Sequence, residues 1–501
     1  MPQEGSMKTF KHFYEEQTTQ PVDNWNRVVF ASRELQSALE ILQKINSTGN
    51  EALIVGGAVR DIILGKEPHD VDIATNMDIE DVAKLFKSFD IGKSQDFGIV
   101  AVPYNGYTFE VAHYREESGT SDARHPDEVR DVDSFEQDSA RRDITINSLG
   151  LDASGTIIDY QGGLEDIKSG MIRAVGNPDE RIREDALRII RVLRFAAKFG
   201  FDIEPETKRA VSELGHMLFR DEENPEKTGV SAERLHDELF KMAEAGGPAL
   251  ANFIEHLDDT GLLEKFLPEI KAMQGMEQDP EHHPEGDVYV HTLHVLKASD
   301  ITDDPIASLA TLFHDIGKPE TYEFKPTKTR PEGKHTYHRH EAQGVDVFLR
   351  VANRLKFSNQ EKDSISWVIR NHMKLYKAGE MKPSKIISLK GHPLYETLLA
   401  VLRADIRGRP TPEGQSGSGK KTMDDYDEII GHVDTRTKSL GDAAKIKGKI
   451  KSLVDGHTVM KLTGAKGPEV GKILQDVEEW ILNVNPEATK DDVIKYIEGM
   501  Q

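Results

Sequence analysis

Two glycines and two aspartates carry the sharpest local chemistry in this 501-residue chain. In LIVGGAVRDIILGKEPHDVDIAT, Gly56 and Gly57 follow an apolar run and precede a helical pattern, and Asp70-Val71-Asp72 begins thirteen residues after Gly57. Glycine lets backbone N–H groups close on a phosphate, and the positive end of a following helix adds to the attraction. On a strand, alternate residues share a face, so the spacing predicts the Asp70 and Asp72 carboxylates on one side. Paired carboxylates form a hard-oxygen site suited to Mg²⁺, which keeps waters and binds substrate phosphates. Two such ions, about 4 Å apart, can activate a hydroxyl nucleophile and stabilise a leaving pyrophosphate. A third carboxylate is usually wanted, and Glu110 in the strand-like YTFEVAH is the candidate. A glycine turn or a DVD strand end is commonplace alone; their combination in this order is what points to function.

A second constellation is built on imidazoles. His291 opens HTLHVLKAS, His314-Asp315 follows ASLATLF, His340 begins HEAQGVDVFLRVANRL, His372 lies in WVIRNHMKL and Asp405 ends LLAVLRAD. Each sits on or beside an amphipathic helical pattern, so five helices could bring these side chains to one point. Mixed His/Asp ligation suits Mn, Fe, Co, Ni or Zn better than Mg²⁺. His294 competes with His291, and His335 and His338 with His340; the full set has room for two metals, or for one.

A third pattern is a helix expected over 183–200. There Asp185, Arg188, Arg191 and Arg194 recur every three residues along one face, with Leu187, Ile190, Leu193 and Phe195 packing on the other. A carboxylate beside a guanidinium satisfies cytosine (donor N4, acceptors N3 and O2) and adenine (donor N6, acceptor N1). Guanine and uracil present the reverse pattern and leave buried polar groups unpaired, which is costly. Arg191 and Arg194 fit a structural role equally well.

The elements that position these residues divide the chain. Residues 1–28 are polar and read as a loosely attached extension; a helix is expected at 32–46, and strands in EALIV and at 99–103, 107–113 and 156–160. Helical periodicity dominates from about 178 onward. The stretch RGRPTPEGQSGSGKK (407–421) separates two helical parts. In the tail, Gly467 is expected to end one helix and Pro468 to begin the next. Net charge is −23, with 64 basic and 87 acidic side chains, which argues against a dedicated nucleic-acid binder when the chain is taken whole. Charge is uneven, however: residues 116–138 hold nine acidic and two basic groups, and residues 435–467 hold eight basic and two acidic ones. Zero cysteines exclude disulfides, iron–sulfur clusters and thiolate chemistry. No apolar run spans a membrane and the N-terminus has no signal-peptide core, so a cytoplasmic protein is expected.

The GG…DVD segment resembles the nucleotidyltransferase signature of the polymerase-β-like superfamily, and more narrowly that of the class II (bacterial-type) tRNA nucleotidyltransferases and their poly(A) polymerase relatives. SARRDITINSLGLD (139–152) resembles that family's RRDFTINAL block, with Ile144 and Ser148 as departures; IIDYQGGLEDI (157–167) and RIREDALRIIRVLRFAAKFGF (181–201) resemble its next two blocks. The resemblance implies that Asp70 and Asp72 hold Mg²⁺, that Gly56, Gly57 and Arg60 help hold the triphosphate, and that Arg141, Arg142, Asp143 and Asn147 lie near the nucleotide. It matches Asp185 and Arg188 to the base-reading pair. YREESGTSDARHPDEV resembles a loop that the family associates with switching to the final adenine. The histidine set resembles an HD-superfamily phosphohydrolase, and some family members carry such a domain with phosphatase, 2′-nucleotidase or 2′,3′-cyclic phosphodiesterase activity. The basic tail, KIKGKIK through GAKGPEVG, resembles an RNA-backbone contact.

The architecture expected is a polymerase-β-like α/β head followed by an all-α neck, HD-type body and tail. Its boundaries are an extension (1–28), head (29–165), neck (166–280), HD domain (281–410), linker (411–425) and tail (426–501). The activity implied is template-independent addition of C, C and A to a tRNA 3′ end from CTP and ATP. A poly(A) polymerase shares the head, although a strongly basic C-terminal extension is absent; another alternative is a metal phosphohydrolase whose transferase-like head merely binds RNA.

Overall fold

The computed structural model describes residues 19–22, 32–68, 70–87, 98–118, 128–219, 229–279, 286–326, 331, 333–409, 418–437 and 450–500. It forms two compact units: residues 1–238 with 252–265, and residues 239–251 with 266–501.

The first unit is built on a seven-stranded mixed sheet. Its strands are β1 (Thr19–Pro21), β2 (Ala52–Val55), β3 (Asp72–Thr75), β4 (Ile99–Tyr104), β5 (Tyr107–His113), β8 (Gly150–Leu151) and β9 (Thr156–Ile158); β6 (Arg115–Ser118) and β7 (Glu128–Asp131) form a separate hairpin. The sheet order is β1-β9-β8-β2-β3-β5-β4. Only β3 and β5 run parallel, with Ile73 opposite Val111. That register sets Asp72 alongside Glu110. The buried run Ala52–Val55 is apolar on both faces, as a central strand must be. Helix Arg33–Asn46 starts at Ser32, whose hydroxyl accepts from the Leu35 N–H, and buries Leu35, Leu39, Ile41, Leu42 and Ile45.

Four expectations are corrected here. Residues 1–28 are not merely a loose extension, because Thr19–Pro21 pairs with Thr156–Ile158 at the sheet edge. The predicted helix over 183–200 is broken: one helix covers Pro178–Glu184, Asp185 is extended (φ −148°, ψ 106°), and the next runs Leu187–Phe199. The 411–425 linker contains the start of a helix, Ser418–Thr437. In the tail, helix Gly456–Thr463 ends at Gly464 in the left-handed conformation, and Gly467 instead precedes helix Pro468–Asn483. The proposed nucleotide-switching loop is only partly described, since residues 119–127 lie outside the described residues, as does KIKGK (445–449).

The second unit is helical. Helices Val288–Ala298, Pro305–Phe313, His340–Arg354, Asn359–Asn371 and Tyr395–Gly408 surround one buried polar centre. Helices Gly456–Thr463, Pro468–Asn483 and Lys490–Glu498 form a smaller core with Val459, Val477, Ile481, Val493 and Ile497, against which Ile387 packs. No helix among the described residues is long and apolar enough to cross a membrane.

Candidate functional site

In the head, β3 delivers Asp72 into a cleft of about 150 Å³ that Glu110, Arg115, Asp138, Arg141 and Arg142 also line. Although Asp72 is exposed by area, burial of its carboxyl group, Glu110 and Asp70 push its pKa up to about 6, against the pull of Arg142. That crowding of carboxylates is what a divalent cation relieves. Asp70 acts on Asp72 electrostatically, but from a different kind of position than expected. It precedes the strand and has φ +53°, so strand alternation does not govern its placement.

The glycine turn also works differently. Gly56 has φ +75° and ψ −132°, a conformation open chiefly to glycine. A Cβ there would meet Arg142 Nη1 at 3.3 Å, so a guanidinium lies over the turn. Arg60 is not available to a triphosphate as expected. It is 5% exposed, bonded to the side chains of Asn147 and Asp61, and packed over the Phe195 and Phe199 rings. Asn147 is committed to the same contact.

Arg141 and Arg142 converge on Asp138, at 2.8 and 2.9 Å. Asp138 is 1% exposed; burial opposes its ionisation, but Arg142 and Arg141 together hold its carboxyl below the usual range. Sequence reasoning missed this residue, although its i, i+3, i+4 relation to the two arginines was visible. Asp143 binds Arg191 at 2.7 Å, and Arg194 binds Glu238 at 2.5 Å inside the protein. Arg191 and Arg194 therefore tie the helix Leu187–Phe199 to neighbouring elements.

Asp185 and Arg188 are both half-buried; the Arg188 N–H donates to the Asp185 carbonyl at 3.0 Å, but their side chains do not bond each other. Asp185 accepts from Arg234 at 2.6 Å and from the Leu187 N–H at 3.0 Å. Arg188 donates to Glu184 at 2.7 Å and to the carbonyls of Arg181 and Arg141 at 3.1 Å. Glu184 and Arg234 are further positioning residues; the i, i+4 spacing of Glu184 and Arg188 was a usable signal, but nothing in sequence linked Arg234 to Asp185.

The second unit brings all six His/Asp candidates together. His291, His314 and Asp405 form one group, and Asp315, His340 and His372 another, each with donor atoms within 4.8 Å of one another. Asp315 lies between them. Its Oδ2 is 3.1 Å from His314 Nε2, and its Oδ1 is 3.3 Å from His340 Nε2. Backbone carbonyls orient the rings: Nδ1 of His314, His340 and His372 each meets the carbonyl three residues earlier, at 2.7, 2.9 and 2.7 Å, that of His340 coming from the strand Lys334–Tyr337. This leaves the Nε2 atoms facing inward, the arrangement metal-ligating histidines use. Burial, then His314 and His340, push the His372 pKa down to about 3, so its ring is neutral and able to ligate. Asp315 is held well below the usual carboxylate range: burial is outweighed by His314 and by Lys318, whose ammonium is 2.7 Å away. His294 is exposed and outside both groups, while His335 and His338 line the adjoining cavity of about 620 Å³ without joining them. The donor set fits one or two borderline transition metals.

A carboxylate cleft beside a glycine turn and paired arginines, on a mixed sheet, defines a nucleotidyltransferase-type head, and the second unit carries an HD-type His/Asp cluster able to hold a metal. Comparison with known proteins agrees. Residues 52–173 match the Poly A polymerase head domain, 200–274 the probable RNA and SrmB-binding site of polymerase A, and 288–407 the HD domain. A CCA-adding enzyme of Lactobacillus johnsonii is 31% identical over 448 residues, 89% of this chain and 92% of that protein. One from Enterococcus faecalis is 44% identical over 227 residues, covering 44% of this chain and 53% of its own length. The crystal structure of a Bacillus stearothermophilus CCA-adding enzyme in complex with CTP superposes with a TM-score of 0.66 at 25% identity, covering 94% of this chain and 98% of that one. The chain belongs to the CCA-adding enzyme family.

Proposed function

We infer that this protein adds C, C and A to tRNA 3′ ends from CTP and ATP. The observation that carries this is the Asp72–Glu110–Arg142 cleft in a chain that aligns along most of its length with a CCA-adding enzyme. Asp70, Asp72 and Glu110 are the groups that would hold Mg²⁺. When bound, the ion supplies charge neutralisation at the reacting phosphate and eases loss of the 3′-hydroxyl proton. Arg142, lying over Gly56 and fixed by Asp138, presents a fork suited to triphosphate oxygens, and Arg141 extends it. Asp185 and Arg188 select the base, their carboxylate and guanidinium oriented by Arg234 and Glu184. The cytoplasm is the compartment where tRNA and both nucleotides are at hand.

The decisive assay gives purified protein a tRNA ending at the discriminator base, with CTP and ATP separately and together. Addition of three nucleotides supports the reading; a long A tail identifies a poly(A) polymerase.

The six-residue His/Asp centre favours a second activity, metal-dependent hydrolysis of phosphate esters, with Mn, Ni, Co, Fe or Zn as the ion. His291, His314, Asp315, His340, His372 and Asp405 would hold it. Release of a phosphomonoester from a 2′,3′-cyclic nucleotide with Mn²⁺, Ni²⁺ or Co²⁺ tests this, and silence with every metal would sink it.

A further inference from the structure

On the helix Asn359–Asn371 and the turn that follows it, the chain does two things at once. His372 points to the metal centre, while Trp367, Asn371 and Lys374, spaced i, i+4 and i+7, line a different cavity of about 480 Å³. Lys377, Met381, Lys385, Ser388, Leu389 and His392 complete its walls. Lys377 lines the HD cavity as well, so the two spaces adjoin.

The chemistry of this second cavity is specific. Lys374, Lys377 and Lys385 are exposed, as is nearby Arg370, and none forms an ion pair with a described carboxylate. Such crowding of unpaired cations is unexpected in a chain of net charge −23. Beside them the Trp367 indole and the His392 imidazole stack at 3.8 Å, 7° from parallel, and form an aromatic wall in the same cavity. Lysines along a groove with a stacking platform are what a single-stranded nucleic acid requires. Phosphates meet the ammonium groups, and a base extends the aromatic stack whatever its identity.

We propose that the cleft of Trp367, Lys374, Lys377, Lys385 and His392 is a single-stranded RNA groove that leads a strand end toward the HD centre. The groove deepens the hydrolase reading and rests on it for the fate of the strand: the HD substrate is an RNA terminus rather than a free nucleotide. Binding itself does not depend on hydrolysis.

The chain has three tryptophans, so W25F/W480F leaves Trp367 as the sole indole reporter in the full-length protein. Titration with a short oligoribonucleotide should quench Trp367 saturably, with an affinity that falls as salt rises. In the same background K374Q/K377Q/K385Q should lower the log–log salt slope by about 2, since each phosphate contact on a single strand contributes about 0.7. Affinity should fall at least about tenfold, the scale of losing stacking or phosphate contacts. These lysines are exposed, so an unchanged melting temperature of the triple variant establishes that it is folded. An unchanged slope and affinity would overturn the groove, as would displacement of the oligonucleotide by a mononucleotide at equal concentration. Hydrolysis separates the two ideas. If phosphate release from an RNA terminus persists with unchanged KM in the lysine variant, the groove is wrong and the hydrolase stands. If RNA quenches Trp367 as expected but no metal supports release from any terminus, the groove stands and the hydrolase reading fails.

Discussion

At Asp138 two guanidinium groups share one carboxylate that is 1% exposed. Removing the anion leaves Arg141 and Arg142 half-buried without their partner, and Asp138→Asn should cost about 3 kcal/mol, the scale of breaking a buried pair. The sign of its pH dependence follows from linkage. The folded-state pKa lies below the unfolded value, so this stabilisation is complete above that unfolded value and is lost as pH falls through the folded one. In urea titrations the gap between wild type and Asp138→Asn should stay constant above about pH 5 and close below about pH 4. A constant gap down to pH 2 would show that the pair is not ionic. Nucleotide addition should fall too, because the two arginines lose their fixed orientation in the cleft.

Packing between elements sets the next layer. Helix Leu187–Phe199 is held from one side by Asp143 and from another by Glu238, which meets Arg194 where both are buried. Glu238→Ala should destabilise by about 3–5 kcal/mol because it strands a buried guanidinium, and Arg194→Met/Glu238→Leu together should recover much of that loss. Denaturant midpoints of the two variants check this; an equal loss in both would mean that packing, not charge, dominates. Gly317 plays the corresponding part in the second unit. A Cβ there would run into the His340 carbonyl and the backbone of Gly344, so glycine lets the His314-Asp315 turn approach the helix that begins at His340. Gly317→Ala should cost about 1–3 kcal/mol from overpacking and weaken Mn²⁺ binding at the HD centre. Isothermal titration with Mn²⁺ in an Asp70→Ala/Asp72→Ala background reads that effect apart from the head. Nothing in HDIGK distinguishes a glycine that ends a turn from one that admits another helix.

Over the whole molecule, chemistry is divided between the units: a carboxylate cleft in one, an imidazole-rich centre in the other. Asp70→Ala should abolish CCA addition, by about 10³-fold or more on the scale of removing a transition-state electrostatic contact, and spare ester hydrolysis. Asp315→Ala should do the reverse. Measuring both activities on each variant tests the division, and loss of both in either variant would show the chemistries to be coupled. The net charge of −23 is an average over regions with opposite tasks. It coexists with lysines around the Trp367 cleft that pair with no described carboxylate, and with the arginines of the head.

By itself the sequence determined the fold class, the order of the parts and the types of donor atom, because those rest on local periodicity, motif order and the absence of cysteine. The HD set was legible since each ligand lies on or beside a helical pattern, and a carbonyl three residues earlier fixes the rings of His314, His340 and His372. What only the tertiary structure decided was partnership. Asp70 stands at positive φ ahead of the strand that carries Asp72, Arg60 is spent on Asn147 and two phenylalanine rings, and Arg234 comes from 49 residues away to meet Asp185. A buried charge takes whichever opposite charge the fold brings within reach, and that distance is set by packing between elements, not by spacing along the chain.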